Sequence, residues 1–182
     1  MVKDTAIGND RAIELLDLAE RSRVLDVGCG QGRTLATLLA AGHDVIGVDP
    51  STTMVSQASR RNRQAIAAGR AQVVHSNGRT IPLPDGSVDA ALTTHTVYFM
   101  PDLATTVTEV LRVLRPGGRF IIVCHVGDDP LPPWADPAVY RPPAVGDLIT
   151  MLNTAGFAHA TVVARDTASW PTLWFEAARA TA

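Results

Sequence analysis

Apolar residues along this chain follow two spacings, one typical of amphipathic helices and one typical of buried strands. The helical spacing predicts helices over residues 11–20, 35–41, 52–68, 103–114 and 145–154. Short apolar runs predict strands over residues 23–27, 44–48, 72–75, 88–93, 119–124, 158–164 and 172–180. Because strands and helices alternate, the pattern predicts an α/β domain with a mostly parallel sheet and helices on both faces.

The second half of the chain adds three details to this pattern. The run FIIVC within residues 119–124 is continuously apolar, which is typical of a central strand buried on both faces. The last two predicted strands are joined by a connection too short for a crossover helix, so they should pair antiparallel. Residues 127–143 hold six of the twelve prolines and are predicted to form a lid loop, since prolines lower the entropy cost of closing a loop over a site.

Composition narrows the class of protein. The chain has 182 residues, 46% of them hydrophobic, and a net charge of −2, which predicts one globular domain over residues 1–182 with a short helical segment at 1–22. Apolar runs stay below the ~18 residues of a membrane helix, and the start does not resemble a secretory signal, so we expect a cytoplasmic protein without a membrane partner. The charge argues against nucleic-acid binding. The two cysteines make no metal-ligand set, and we expect no metal.

A glycine-rich turn carries the candidate chemistry. The segment VLDVGCGQG ends the first strand and opens a helix, so that Gly28, Gly30 and Gly32 bring bare backbone to a ligand. Asp49 follows the second strand, 21 positions after Gly28, where a carboxylate can accept both hydroxyls of a ribose. Asp26 lies within an apolar strand, where a buried acid is costly unless something uses it.

Two other interpretations of this turn stay open at this point. Three glycines can simply make a tight connection between a strand and a helix. A nicotinamide-dependent oxidoreductase is the other alternative, although a dinucleotide site usually has the spacing G-x-G-x-x-G and Arg33 stands at the third glycine here.

Four segments in order resemble motifs of the class I S-adenosylmethionine-dependent methyltransferases, in particular the small-molecule branch similar to methyltransferase type 11. They are VLDVGCGQG, VIGVDPSTTM, IPLPDGSVDAALTTHTVYFMPD and VLRVLRPGGRFII. The resemblance covers about residues 20–125. It implies a Rossmann-like sheet of seven strands with an antiparallel last strand, S-adenosylmethionine as cofactor, and methyl transfer to a small-molecule acceptor.

The resemblance also implies residue roles. It assigns cofactor contacts to Asp26, Gly28, Cys29, Gly30, Gly32, Asp49, Pro50, Met54, Asn77, Gly78 and Thr94. In this assignment the glycines hold the methionine part, Asp26 organises the turn or accepts the cofactor ammonium, Asp49 holds the ribose, and Met54 packs near the adenine. Asn77 stands where the family commonly has Asp, and its amide oxygen can still accept a hydrogen bond from the adenine amino group. The Gly78 N–H is available for the adenine ring.

His95 is the candidate catalytic residue. It ends the fourth predicted strand, where an imidazole can accept a proton from an acceptor hydroxyl or amine. Equally, it can simply pack in the wall of the cleft. The predicted acceptor contacts are Tyr98, Phe99, His125, Trp134 and Tyr140.

Two expectations concern partners and activity. The N-terminal segment is too short for a full cap, so a homodimer can complete the acceptor pocket. A methyltransferase-like module that binds cofactor or a partner without turnover is a non-catalytic alternative. The arginines of residues 60–63 are interpreted as a solvated helix face.

Overall fold

The computed structural model describes residues 2–131, 133, 135–166 and 171–181. Its strands are β1 (Arg23–Val27), β2 (Asp44–Asp49), β3 (Ala71–His75), β4 (Val88–Thr94), β5 (Leu114–Cys124), β6 (His159–Arg165) and β7 (Leu173–Ala178). Its helices are α1 (Val2–Leu15), α2 (Arg33–Ala40), α3 (Thr52–Arg61), α4 (Arg63–Ala67), α5 (Leu103–Val113) and α6 (Val145–Ala155), and a 3₁₀ turn spans Val97–Phe99. No helix in these described ranges is long and apolar enough to cross a bilayer.

The seven strands form one sheet in the order β3-β2-β1-β4-β5-β7-β6. The first five of these are parallel, and β7 pairs antiparallel with both β5 and β6. The predicted α/β sheet and its antiparallel end are therefore confirmed. The strand order reverses between β1 and β4, which opens a crevice at their carboxyl ends, where ligands bind in open α/β sheets.

Both faces of the sheet are covered. Residues of α1, α2 and α3 pack on one face, and residues of α5 and α6 pack on the other. Ile121 and Ile122 are adjacent in β5 and belong to the two opposite core clusters, both fully buried. The continuous apolar run of β5 is thus explained by a strand that is covered on both faces.

The first helix differs from its predicted range. It runs from Val2 to Leu15 instead of over residues 11–20. The chain leaves the helix before Asp17 and Arg21, which have φ of 49° and 56°. Left-handed backbone ends a right-handed helix, and the apolar spacing around residue 16 did not reveal this.

The predicted helix over 52–68 divides into α3 and α4 at Asn62. The buried Asn62 amide donates to the Ala58 carbonyl at 2.9 Å and to the Gly32 carbonyl at 3.2 Å. The Ala58 carbonyl also accepts the Asn62 backbone N–H at 3.0 Å, so the side chain adds to the hydrogen bonds at the end of the helix and fastens α3 to the glycine turn.

Strand β5 begins at Leu114 and not at residue 119, so that Pro116, Gly117 and Gly118 lie inside it. The Gly117 N–H donates to the Arg179 carbonyl at 3.0 Å. The proline ends α5 as predicted, but the two glycines let the backbone continue directly into the sheet.

Candidate functional site

The turn after β1 carries Gly28, Gly30 and Gly32, all in left-handed backbone with φ of 79°, 50° and 71°. The Gly28 N–H donates to the Val48 carbonyl at 2.8 Å, which fastens the turn to β2. A Cβ on Gly28 would lie 2.6 Å from Cγ2 of Thr96, whereas a Cβ on Gly30 would meet no atom within 4 Å. The turn therefore places bare backbone at the switch point and leaves space beside Gly30.

The Asp49 carboxylate points toward this turn. Its Oδ2 accepts the Gly30 N–H at 2.9 Å, and its Oδ1 accepts the Ser51 N–H at 2.9 Å. The residue is buried at the end of β2. Each carboxylate oxygen keeps lone-pair capacity for a further donor, so this orientation is compatible with a pair of ligand hydroxyls.

Asp26 is a buried acid without a hydrogen-bond partner for its Oδ1 among the described residues. Burial, and then the charge of Asp49, raise the pKa of Asp26 from 3.8 to about 7. Of the two roles predicted for Asp26, hydrogen bonding to the turn is not seen among the described residues, because the Gly28 and Gly30 N–H groups donate to Val48 and Asp49. The Asp26 carboxyl group is thus left for a donor that the described residues do not supply.

A cavity of about 340 Å³ lies beside the turn, on the side of β2 and β3. Five residues predicted for the cofactor and one predicted for the acceptor line it: Gly28, Asp49, Pro50, Asn77, Gly78 and Phe99. Its other lining residues were not singled out from the sequence: Val27, Val48, Ser76, Thr96, Met100 and Pro101. Most of the lining is apolar, and its polar side chains are those of Asp49, Ser76, Asn77 and Thr96, a composition typical of a small-molecule site.

The remaining predicted cofactor residues do not line this cavity. They are Asp26, Cys29, Gly30, Gly32, Met54 and Thr94. Cys29 is a free thiol packed against Gly47, and burial raises the pKa of the thiol, which suits a packing role better than a nucleophile. Met54 is half-buried in the first turn of α3, where its N–H donates to the Ser51 hydroxyl.

The loop after β3 uses its own polar groups. The Asn77 Oδ1 accepts the Arg79 N–H at 3.1 Å, and the Gly78 N–H donates to the Ser76 hydroxyl at 3.1 Å. The Ser76 hydroxyl in turn donates to the Thr80 carbonyl at 2.8 Å. The Gly78 N–H is therefore already paired, whereas the exposed Asn77 keeps its amide nitrogen and a second lone pair on Oδ1 for a ligand.

Two threonines that the sequence analysis did not single out close the turn from the side of β4. The Thr93 hydroxyl donates to the Val27 carbonyl at 2.8 Å and is hydrogen-bonded to the Thr96 hydroxyl. A side chain at Gly28 would clash with the methyl group of Thr96. Spacing alone does not separate these threonines from their neighbour Thr94, so the sequence gives no signal for their role.

His95 follows β4 in left-handed backbone with φ of 55°. Its N–H donates to the Val123 carbonyl at 2.7 Å, and its Nδ1 is hydrogen-bonded to the Tyr98 hydroxyl at 2.7 Å. Burial, and then the nearby His125, lower the pKa of His95 from 6.5 to about 4. The imidazole is thus neutral at neutral pH and can accept a proton.

Aromatic rings surround His95. The fully buried Tyr98 stacks on Tyr140 with ring centroids 4.5 Å apart, and its hydroxyl accepts the His125 N–H at 3.2 Å. The rings of His95 and His125 are 5.1 Å apart, and Phe99 meets Tyr140 edge-on. Four of the five predicted acceptor residues therefore lie together with His95, and the fifth, Trp134, lies outside the described residues.

The described parts of the loop over residues 127–143 are tied together at the ends of the loop. The Gly127 N–H donates to the Pro143 carbonyl at 2.9 Å, and the Val145 N–H donates to the Asp128 carboxylate at 2.6 Å. The loop carries Tyr140 onto Tyr98, at the carboxyl edge of β4 and β5. A lid role for this loop stays a prediction.

This chain is similar to known methyltransferases in sequence and in fold. A model of the methyltransferase domain family matches residues 25–122, more than half of the chain. The chain is 33% identical over 152 residues to the O-methyltransferase cnsE of Penicillium expansum, covering 78% of this chain and 54% of that protein. It is 33% identical over 115 residues to 27-O-demethylrifamycin SV methyltransferase of Amycolatopsis mediterranei, covering 62% of this chain and 42% of that protein.

The fold agrees with these relatives. A solved S-adenosylmethionine-dependent methyltransferase from Aquifex aeolicus superposes with a TM-score of 0.74 at 21% identity, covering 93% of this chain and 88% of that chain. The chain spans about one third to one half of the length of the curated relatives it matches first. Its glycine turn, its acid after β2 and its matched family model show that it belongs to the class I S-adenosylmethionine-dependent methyltransferases.

Proposed function

We propose that this chain binds S-adenosylmethionine in the crevice between β1, β2 and β4 and transfers its methyl group to a small-molecule acceptor. The observation that carries the proposal is the buried Asp26, whose Oδ1 has no partner among the described residues, while the two residues that follow it, Val27 and Gly28, line the cavity together with Asp49. The family favours this function over the nicotinamide-dependent alternative.

The residues present fit this cofactor. The unpaired Asp26 oxygen matches an ammonium group, which is the strongest kind of donor for it. The Asp49 carboxylate can accept hydrogen bonds from the two ribose hydroxyls. The open space at Gly30 leaves room for the part of the cofactor that joins the ammonium group to the ribose. The apolar side of the cavity, with Val48 and Met100, suits a flat adenine ring.

The cofactor supplies an electrophilic methyl group on a sulfonium, so the protein mainly has to orient an acceptor and exclude water. Orientation of this kind contributes up to about 7–11 kcal/mol to lowering a barrier. Here the lid residue Tyr140 packs on Tyr98 and covers the side of the crevice where His95 lies. The ring cluster thereby shields the acceptor position.

His95 is the proposed proton acceptor for a hydroxyl group. Its Nδ1 is held by the Tyr98 hydroxyl, so the Nε2 edge is the one available for an acceptor. Because the lowered pKa of about 4 makes this imidazole a weak base, an acidic hydroxyl, such as that of a phenol or an enol, suits it better than an aliphatic alcohol. Two relatives whose names denote O-methyl transfer support this choice of atom.

The proposed acceptor is tested by incubating the chain with S-adenosylmethionine and a panel of phenols, enols, aliphatic alcohols and amines. Mass spectrometry reads the addition of one methyl group, and liberated adenosylhomocysteine measures the rate. We expect turnover with phenols or enols in preference to the other classes. Cofactor binding without turnover of any acceptor would favour the non-catalytic alternative. A preference for amines or large substrates would contradict the hydroxyl assignment.

The reaction is placed in the cytoplasm as part of the same proposal. Cys29 and Cys124 are both buried free thiols, which suits a reducing compartment. Fractionation of cells that make the full protein tests this, and recovery of the protein in a membrane or secreted fraction would contradict it.

A further inference from the structure

Three arginines surround an open hollow on the surface of α3 and α4. The hollow has a volume of about 530 Å³ and is lined by Gln31, Ser56, Gln57, Arg60, Arg61 and Arg63. The sequence contains no Asp or Glu between residues 50 and 84, and none between residues 27 and 43. The elements that build the hollow thus contribute positive charge and no negative charge of their own.

These arginines differ from most others in the protein. Among the described residues, seven of the twelve arginines elsewhere pair with acids, as Arg70 does with Asp44 and Arg112 with Asp85. Over the described residues, Arg60 and Arg63 have neither an ion pair nor a side-chain hydrogen bond. Like charges gathered on one surface repel each other, and a bound anion relieves that repulsion.

The hollow is also built onto the glycine turn. The Arg61 Nε donates to the Gln31 carbonyl at 3.0 Å, which holds the guanidinium in place and leaves its outer nitrogens free of the turn. Next to it, the Asn62 amide donates to the Gly32 carbonyl, and a Cβ on Gly32 would strike Ala58. The Arg61 side chain is therefore held in its orientation by a hydrogen bond to the backbone.

We infer that this hollow binds a small anion that carries two or more linked phosphate groups. Guanidinium groups present paired N–H donors that match phosphate oxygens, and three of them around one hollow suit a diphosphate or triphosphate better than a single phosphate. The net charge of −2 includes these arginines, so the rest of the surface is more negative still. That charge repels an extended polyanion or an anionic membrane and favours a compact ligand.

Isothermal titration calorimetry with inorganic tripolyphosphate, pyrophosphate and orthophosphate tests the inference without any need for methyl transfer. The test variant is the double substitution Arg60→Gln with Arg63→Gln, which leaves Arg61 and its bond to Gln31 intact. Arg21→Gln is the matched control, because Arg21 is an exposed arginine at the opposite end of β1. Circular dichroism and thermal unfolding check that each variant folds.

We expect tripolyphosphate to bind with one site per chain, more tightly than orthophosphate. The double variant should weaken that binding by about tenfold or more, and the Arg21 control should leave it unchanged. Equal losses in the control and the double variant, or no binding by wild type, would overturn the inference. Tighter binding of duplex DNA or of vesicles with anionic lipid than of tripolyphosphate would overturn it in favour of a macromolecular or membrane surface.

Discussion

Two carboxylates at neighbouring strand ends carry most of the chemistry of the proposed cofactor site. Asp49 has donors from Gly30 and Ser51, whereas Asp26 is buried and leaves an oxygen unpaired. A buried acid without a donor costs stability, and such a cost is typical of residues that serve a ligand. The sequence revealed both acids, because one interrupts an apolar strand and the other follows one.

Asp26→Asn should make the cofactor-free protein more stable in a pH-dependent way. The pKa of Asp26 is raised in the folded state from 3.8 to about 7, so ionisation favours the unfolded chain as pH rises through that window. Because the Asn side chain does not ionise, the variant does not lose this free energy of unfolding, which amounts to at most about 4 kcal/mol. Urea unfolding from about pH 4 to about pH 8 should show the gain growing with pH and levelling off above about pH 7. A gain that is the same at every pH would contradict this account of Asp26.

His95→Asn tests the proposed base while keeping the backbone. Asn tolerates left-handed φ better than most residues, which suits the φ of 55° at this position. We expect kcat with a hydroxyl acceptor to fall by about 100-fold or more, with adenosylmethionine affinity unchanged. Tyr98→Phe serves as the comparison, because it removes only the hydroxyl that holds Nδ1 and should cost less. Full kcat in the Asn variant would leave His95 a packing residue of the cleft wall.

Residues that act through tertiary contacts could not be found from the sequence. Thr96 lies so close to Gly28 that a Cβ there would clash with it, and the Ser76 hydroxyl accepts the Gly78 N–H that was predicted to bind the adenine. Both are small polar residues in loops, where spacing carries no information about which backbone group they meet.

At the scale of elements, α5 holds the loop that walls the cavity. The Arg112 guanidinium donates to the Ile81 and Leu83 carbonyls at 2.9 Å each, and it pairs with Glu109. The Glu109 carboxylate accepts the Ile81 N–H at 2.8 Å. Two side chains of one helix thus supply the hydrogen bonds that fix the connection between β3 and β4.

Arg112→Met should therefore loosen this connection. We expect a loss of about 2 kcal/mol or more in the free energy of unfolding, because two carbonyls and the Glu109 carboxylate lose a charged donor. Cofactor affinity should fall as well, since Ser76 and Gly78 line the cavity on the same loop. Denaturant unfolding and calorimetry measure the two effects.

Arg11→Met is the control for that variant, because the ion pair that Arg11 makes among the described residues is an exposed one with Glu14. An exposed pair contributes about 0–1 kcal/mol. Equal destabilisation by the two substitutions would contradict the role given to Arg112.

The fold was largely predictable at this scale, and its boundaries were not. Apolar spacing identified all seven strands of the sheet, most clearly β1, β2, β4 and β5, where burial on both faces imposes an apolar run. The break of the third helix at Asn62 was missed because it depends on the Gly32 carbonyl, 30 positions away in the sequence. The early start of β5 was missed because Pro116 and two glycines usually end structure, and here the glycines continue it.

At the scale of the whole molecule, the parallel sheet brings the ends of β1, β2, β4 and β5 to one edge. The proposed cofactor cavity lies on the β2 side of the switch point, and the His95 cluster lies on the β5 side. In the proposed function, substrate and cofactor therefore meet over the reversal in strand order, where ligands bind in open α/β sheets.

The central claim is that the crevice beside Asp49 is an adenosylmethionine site, and calorimetric titration with adenosylhomocysteine tests it most directly. We predict one site per wild-type chain, binding weakened by about 30-fold or more in Asp49→Ala, and full binding in Asp44→Ala, which changes an acid at the other end of β2. NAD should give no heat of binding. Undiminished binding in Asp49→Ala, or tighter binding of NAD than of adenosylhomocysteine, would contradict the account.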